Sequence, residues 1–289
     1  MRPFYILDVF AEKPYTGNQL AVFLDAGDLS TTDMLTLTRE MNYSESTFIL
    51  SRTPEKNGYN VRIFTPTAEV PFAGHPTLGT AHIIRSRLLS NKPNTVILNL
   101  KAGQIPVTFN PDGYGWMIQL PPTFGPTYDT ATLSQVLGLS PHDLDERFPI
   151  QEVSTGLPFF IVPLKTINAL KTISLNREKF KSLIQQTDAK DILVFCPETH
   201  EPPNDISVRV FAEYQGIPED PATGSANGCL AAYLVKHRYF GTDAIDIRSE
   251  QGYEIHRPSL LLLRAQQLET HIQVQVGGKT VMVAEGKLV

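Results

Sequence analysis

Phe4-Tyr5-Ile6-Leu7-Asp8-Val9-Phe10 is an apolar run interrupted by one acid, the pattern of a buried strand rich in aromatic and branched residues. A turn-rich stretch over residues 13–18 separates it from a second apolar run at 20–24. The period then changes. Met34, Leu35 and Leu37 follow the polar triplet Ser30-Thr31-Thr32, which predicts a helix over 31–41 opened by a hydroxyl cap. Strands are predicted at 46–50 and 59–64, with a polar turn at 53–58 between them. A helix starting at Gly74 and running to about Leu88 comes next, then strands at 95–100, 105–110 and 115–120. Residues 121–129 hold three prolines and little periodicity, so they are predicted to be a linker.

Beyond the linker the order recurs. A helix with the apolar stripe Leu133, Val136 and Leu137 precedes a strand at 150–153, and residues 156–162 mirror residues 17–23. A helix at 177–187, strands at 192–196 and 206–211 and a helix from Gly224 complete the copy. Later strands are expected at 244–248, 259–264 and 271–276, and the last one, 280–285, is assigned back to the first half. Many strands with one or two long helices per half predict an α+β chain in which sheet wraps each helix. The expected domains are 1–120 plus about 278–289, and 129–277.

The repetition is sharpest where the chemistry lies. Arg62-Ile63-Phe64 leads through an acidic, Pro-containing loop to Gly74-His75-Pro76-Thr77 and a small-residue helix. Arg209-Val210-Phe211 leads to Glu219-Asp220-Pro221-Ala222-Thr223-Gly224-Ser225 and a second such helix. Two similar halves are expected to face each other across a cleft, each contributing a helix N-terminus. Free N–H groups and the positive end of the helix dipole suit such a cleft to a carboxylate-bearing small molecule.

Composition narrows the partners. The chain has 289 residues, 42% hydrophobic and 19% charged, and a net charge of −5. That length accommodates two cores. No basic stripe is present, which argues against nucleic acid as the main partner. No apolar run approaches the roughly 20 residues of a membrane span, and Asp8 and Glu12 break the opening run early. Cys196 and Cys229 have no metal-ligand spacing and read as two reduced thiols of a cytoplasmic protein. The seven His are scattered, which argues against a zinc site, and no phosphate-binding Gly loop or Gly-x-Ser-x-Gly elbow occurs.

Several blocks together resemble the PhzF-like family of phenazine-biosynthesis-type isomerases. They are Asp8-Val9-Phe10 with residues 16–22, Asn42-Tyr43-Ser44-Glu45-Ser46-Thr47-Phe48 and residues 62–66. Residues 69–77, 219–228, Glu250-Gln251-Gly252 and Arg257-Pro258-Ser259 continue the match, in order, over nearly the whole chain. The resemblance implies two pseudo-symmetric diaminopimelate-epimerase-like domains, each a curled sheet around a central helix, a homodimer, and neither metal nor organic cofactor.

It also implies roles. Glu45 would shuttle a proton between carbons of a small carboxylic or amino acid from the interdomain cleft. Its place before Phe48-Ile49-Leu50 puts it at a strand mouth, where partial burial would move a carboxyl towards the working pH. His75, at the start of the first helix, reads either as a helix-cap histidine or as a site residue able to donate to a carboxylate or relay a proton. Ser225 is its counterpart and reads either as an N-cap or as an anion contact. Gly74 and Gly224 would let substrate approach backbone N–H groups. Asp220, which Pro221 forces towards an extended conformation, would contact a substrate amine or hydroxyl and orient His75. Asn18 and Ser44 are further candidates for fixing the ligand, and Arg62 and Arg209 are assigned to structural ion pairs.

One departure separates the chain from epimerase and racemase relatives, which carry a Cys before each paired Gly. Here Ala73 and Thr223 stand there, and neither supplies a thiolate base. Stereoinversion by two thiols is therefore disfavoured against chemistry with one carboxyl acid/base. The rival reading is a metabolite-binding or regulatory protein on the same scaffold. The physiological substrate is not legible in the residues.

Overall fold

The computed structural model describes residues 1–289, in two compact units: residues 1–118 with 277–289, and residues 119–276. In the first unit, β1 (Arg2–Val9) pairs antiparallel with β2 (Asn18–Phe23). Helix α1 (Thr31–Met41) then crosses over to β3 (Glu45–Ile49), which lies parallel to β2. β4 (Tyr59–Phe64) pairs antiparallel with β3 and with the two-residue β5 (Glu69–Val70). Helix α2 (Gly74–Ile83) follows and continues as a π-helical turn, Ile84–Leu88. β6 (Thr95–Leu100), β7 (Gly103–Phe109) and β8 (Gly115–Ile118) form a meander whose first strand runs parallel to β4. The C-terminal strand Thr280–Leu288 pairs antiparallel along the whole length of β1.

The period-2 alternation of these strands divides the apolar residues between two faces. On the outer face Phe23 stacks on Phe48 at 4.8 Å, and Phe48 meets Phe64 edge-on at 5.4 Å. Met34 of α1 packs into that cluster. Ser30 and Asp33 close a capping box at the start of α1, and Asn42 ends it in the left-handed conformation. The inner face encloses α2, which is buried all round except at His82. A helix with no polar face has to be wrapped in this way. Gly79 permits it, because a Cβ there would fall 2.5 Å from Leu20 Cδ2 and 2.9 Å from Val9 Cγ2.

The second unit repeats the plan. β9 (Thr123–Tyr128) pairs with β10 (Ile150–Ser154), and helix α3 (Thr130–Leu137) lies between them in sequence. β11 (Pro158–Pro163) is antiparallel to β10 and parallel to β12 (Asp191–Cys196). The crossover between the last two carries α4 (Ile167–Thr172) and α5 (Arg177–Ile184). β13 (Ile206–Ala212) pairs with β12, with β14 (Ile217–Asp220) and with β15 (Ala244–Gln251). Helix α6 (Gly224–Lys236) is the buried helix of this unit. β16 (Ser259–Gln267) pairs antiparallel with β15, β17 (Ile272–Gly278) follows, and the C-terminal strand is β18. Helices α3, α4 and α5 cover the outer face through Leu137, Leu170 and Phe180, packed on Phe160, Ile192 and Val194.

Two expectations are corrected and one element is added. Residues 121–129 are not a free linker, because 123–128 form β9. Its pairing with β10 shifts register between Gln151 and Val153, at the level of Gly125-Pro126, where proline has no N–H for the ladder. The acidic loops before the two buried helices contain the short strands β5 and β14. Helix α4, with Thr166 as its cap, is too short to show a period in the sequence.

Candidate active site

The two buried helices start alike. Ala73 and Thr223 are their N-cap residues, and neither side chain caps its own helix. The equivalence extends through the sheets. Arg62 Nε and an Nη donate to both carboxylate oxygens of Glu69 at 2.9 and 2.8 Å. Arg209 donates to Glu219 in the same way at 3.0 and 2.6 Å. Each guanidinium also lies over a ring, Phe64 at 4.9 Å and Phe211 at 5.0 Å. These arginines are fastened to their neighbours, a structural role.

In the first unit, register places the candidate residues. Glu45 is the first residue of β3 and pairs with Leu20 of β2. It shares a strand face with Thr47, whose hydroxyl accepts a 2.7 Å hydrogen bond from Thr80 of α2, so Glu45 also lies on the α2 face. Asn18, two residues before Leu20, is buried on that face. Gly74 and His75 open α2, and His75 is 5% exposed. The consequence is a 3.5 Å approach of His75 Nε2 to Glu45 Oε2, between residues 30 positions apart. Ser44 directly precedes β3 and is half-buried.

Burial drives the His75 imidazole down to about 3, opposed by a hydrogen bond with the Gln19 backbone. At neutral pH it is therefore uncharged. A neutral imidazole beside a carboxyl can accept or donate a proton, but it is not a standing cation for an anionic ligand. The 3.5 Å separation is longer than a hydrogen bond, and such contacts commonly shorten once a ligand is present.

In the second unit, Asp220 ends β14 and is 6% exposed. The Thr223 hydroxyl donates to its Oδ2 at 2.5 Å. The Gln251 amide donates to its backbone oxygen at 2.7 Å and to Thr223 Oγ1 at 3.1 Å. Gln251 Oε1 in turn accepts from the Thr223 N–H at 3.2 Å and from Asn227 Nδ2 at 2.9 Å. Ser249 donates to Asn227 Oδ1 at 2.7 Å, which anchors the chain of bonds in β15. Gly224 and half-buried Ser225 stand at the start of α6. Sequence reasoning missed Thr223, Asn227, Ser249 and Gln251 as supports of Asp220. Gln251 had one signal, its place in the block Glu250-Gln251-Gly252. The Thr223 side chain, which does not cap its own helix, holds the Asp220 carboxyl.

Other features of the sheet are structural. Glu250 is buried, which by itself would raise its carboxyl. Hydrogen bonds from Ser207, the His200 and Asn204 groups hold it below its ordinary value. Burial pushes the Cys229 thiol up to about 11, so it is no thiolate nucleophile. Grooves of 660 Å³, beside α3 and α5, and 430 Å³, beside β4 and β6, are lined by none of the candidate residues. No group of three or more His, Cys, Asp or Glu side chains is placed to hold a metal ion.

Comparison with known proteins agrees over the full length. A family model described as phenazine biosynthesis-like protein, PhzC-PhzF, matches residues 7–286. A trans-2,3-dihydro-3-hydroxyanthranilate isomerase of Pseudomonas chlororaphis is 36% identical, with 100% of both chains covered. The protein of that name from Pseudomonas aeruginosa is 34% identical, with 99% of each chain covered. An uncharacterized isomerase of Pasteurella multocida is 33% identical over 99% of this chain and 93% of its own. Among solved structures, a PhzF-family phenazine biosynthesis protein of Bacillus anthracis superposes with TM-score 0.91 at 29% identity, covering 100% of this chain and 99% of that one. A hydroxyproline epimerase of Agrobacterium vitis shares the fold at TM-score 0.64 and 11% identity, covering 99% of this chain and 92% of that one. No helix is long and apolar enough to cross a membrane. With the repeated strand–helix plan, the matching family model and relatives named as isomerases, the chain belongs to the phenazine biosynthesis-like PhzC-PhzF family and is an isomerase of the PhzF type.

Proposed function

We propose that the protein moves a proton between two carbons of a small carboxylic or amino acid, with Glu45 as the acid/base. The observation that carries this reading is the Glu45–His75 pair, 3.5 Å apart and nearly buried at the start of α2. In the reaction, the Glu45 carboxylate takes a proton from one carbon as the electron pair shifts along the substrate π-system. The resulting carboxylic acid returns a proton to a second carbon, so atoms and charge balance without an oxidant or reductant. Neutral His75 accepts or donates a hydrogen bond as the carboxyl changes charge, which stabilises both forms. The uncapped N–H groups at Gly74 suit a carboxylate, and Asn18 and Ser44 fix its orientation. In the second unit, Asp220 offers an acceptor for an amine or hydroxyl, while Ser225 and the N–H groups at Gly224 suit an anion.

The relatives named for trans-2,3-dihydro-3-hydroxyanthranilate place a compound of that class first among those to try. The test is proton NMR in deuterated water with a panel of small carboxylic and amino acids that includes it. Wild type should incorporate deuterium at one C–H position of its substrate. Glu45→Gln should fold normally and slow that exchange by about 10²–10⁴-fold, the range for loss of a positioned acid/base. Exchange at the wild-type rate in that variant would remove Glu45 from the mechanism. Binding without exchange across the panel would favour the metabolite-binding reading instead.

A further inference from the structure

The two units build their parallel strand pairs alike and then diverge. In the first, Tyr59 and Asn60 of β4 pair with Leu98 and Asn99 of β6. In the second, Ser207 of β13 pairs with Glu250 of β15. Glu250 is thus the register equivalent of Asn99. The Asn99 amide ties down the preceding hairpin through the Glu55 carbonyl at 2.8 Å. The buried Glu250 carboxylate holds the loop at 197–205 with more bonds. It accepts from the His200 and Glu201 N–H groups, His200 Nδ1, Asn204 Nδ2 and Ser207 Oγ.

Beyond these strands the turns differ. Lys101 and Ala102 join β6 to β7, and the Ala102 N–H donates at 3.1 Å to the carbonyl of Pro71, shortly before α2. In the second unit the longer segment 252–258 joins β15 to β16. Gly252 opens it with φ at +80°, and a Cβ there would fall 2.6 Å from the Pro221 carbonyl oxygen and 2.4 Å from that of Arg257. The Arg257 N–H donates to the Gly252 carbonyl at 2.9 Å and the His256 N–H to that of Tyr253 at 3.1 Å, which closes the turn. Its first residue therefore packs on Pro221, next to Asp220, while the neighbouring Gln251 amide binds the Asp220 carbonyl.

His200 grips the middle of this turn. Its ring stacks on Tyr253 with centroids 4.2 Å apart and planes 12° apart. Nδ1 lies 2.8 Å from Glu250 Oε1, and Nε2 lies 3.2 Å from Glu254 Oε1. That Glu254 oxygen is buried and makes no hydrogen bond. Such an oxygen is costly, and the imidazole edge beside it offsets part of the cost. We propose that His200 is a positioning residue: anchored on Glu250, it clasps the turn at 252–258 through Tyr253 and Glu254 and so keeps Pro221 and Asp220 in place for a ligand. The proposal rests on the reading of Asp220 as a ligand contact. The first unit has no need of a clasp, because Leu100 pairs with Gly103 directly across its short turn.

Two substitutions separate the ring's contacts. An Asn amide reaches where Nδ1 stands and keeps the Glu250 anchor, whereas a Gln amide reaches where Nε2 stands and keeps Glu254. The test uses the full chain, ¹⁵N-labelled, as wild type, His200→Asn, His200→Gln and Glu254→Ala. His200→Asn and Glu254→Ala should each speed amide exchange at His256, Arg257 and Thr223 by about tenfold. Thr223, whose N–H donates to Gln251 Oε1, reports on the Asp220 segment rather than on the turn. With the acid that wild type deuterates, both variants should raise KM about tenfold and hold kcat within about threefold, the pattern of lost ligand binding. His200→Gln should stay near wild type in each readout, and combining His200→Asn with Glu254→Ala should add little to either alone. Unchanged Thr223 exchange in His200→Asn and Glu254→Ala would overturn the proposal. So would a His200→Gln protein as impaired as His200→Asn, or a fall in kcat at constant KM. If wild type deuterates no acid, the amide rates decide. Joint loosening of the turn and Thr223, spared in His200→Gln, then supports the clasp while the proton-transfer reading falls.

Discussion

A histidine is usually half-charged near neutrality, and its neighbours decide the rest. Around His75 the deciding neighbour is apolar burial, which holds the imidazole at about 3 against an ordinary value of 6.5. The unfolded chain therefore binds a proton that the folded chain refuses as pH falls. Full stability is present above 6.5 and is lost between there and about 3. In urea titrations this single group should cost wild type about 2 kcal/mol on going from neutrality to about pH 5. His75→Asn should lack that portion of the acid limb. Equal acid limbs in the two proteins would mean that His75 takes up its proton in the folded state. Residue type and neighbouring motif were enough to single out Glu45, His75 and Asp220 as candidates. The 3.5 Å meeting of Glu45 and His75 was not, because it requires β3 and α2 to be packed.

Elements differ in how local their causes are. Helix α1 was readable to its ends because its cap and its stripe lie within its own residues, Ser30 with Asp33 and Met34 packed below. β9 was not, since three prolines describe a turn-rich segment until β10 supplies a partner. The start of α6 shows a similar dependence on distant chain. Thr223 sits where a helix-capping hydroxyl is expected, yet its oxygen donates to Asp220 and accepts from Gln251 of β15. Thr223→Val should leave a buried carboxylate and a buried amide without that partner, costing about 1–3 kcal/mol in thermal or urea unfolding. Thr223→Ser keeps the hydroxyl and should recover most of it. A Thr223→Val protein as stable as wild type, or a Thr223→Ser protein that recovers nothing, would show that the hydroxyl is not what stabilises this turn.

At the scale of the molecule, closure of the first unit depends on the last residues of the chain. β18 pairs with β1 from Arg2 with Leu288 to Val9 with Thr280, so residues at opposite ends of the sequence share one ladder. A chain ending at Gly278 would leave β1 with an open edge and uncover its apolar face. The single tryptophan, Trp116, is buried in this unit and reports on it. In the truncated protein its emission should be shifted to the red and its cooperative urea transition lost. A native-like emission and midpoint would show that β18 is dispensable. Residue order and local period were enough for the longer strands and helices, for the repeated passage from Arg-x-Phe to a Gly-started helix, and for the family. Which side chains meet was settled by packing: Glu45 with His75, and Asp220 with Thr223 and Gln251. The physical reason is that strand register and burial act between segments far apart in the chain, and no local pattern records them.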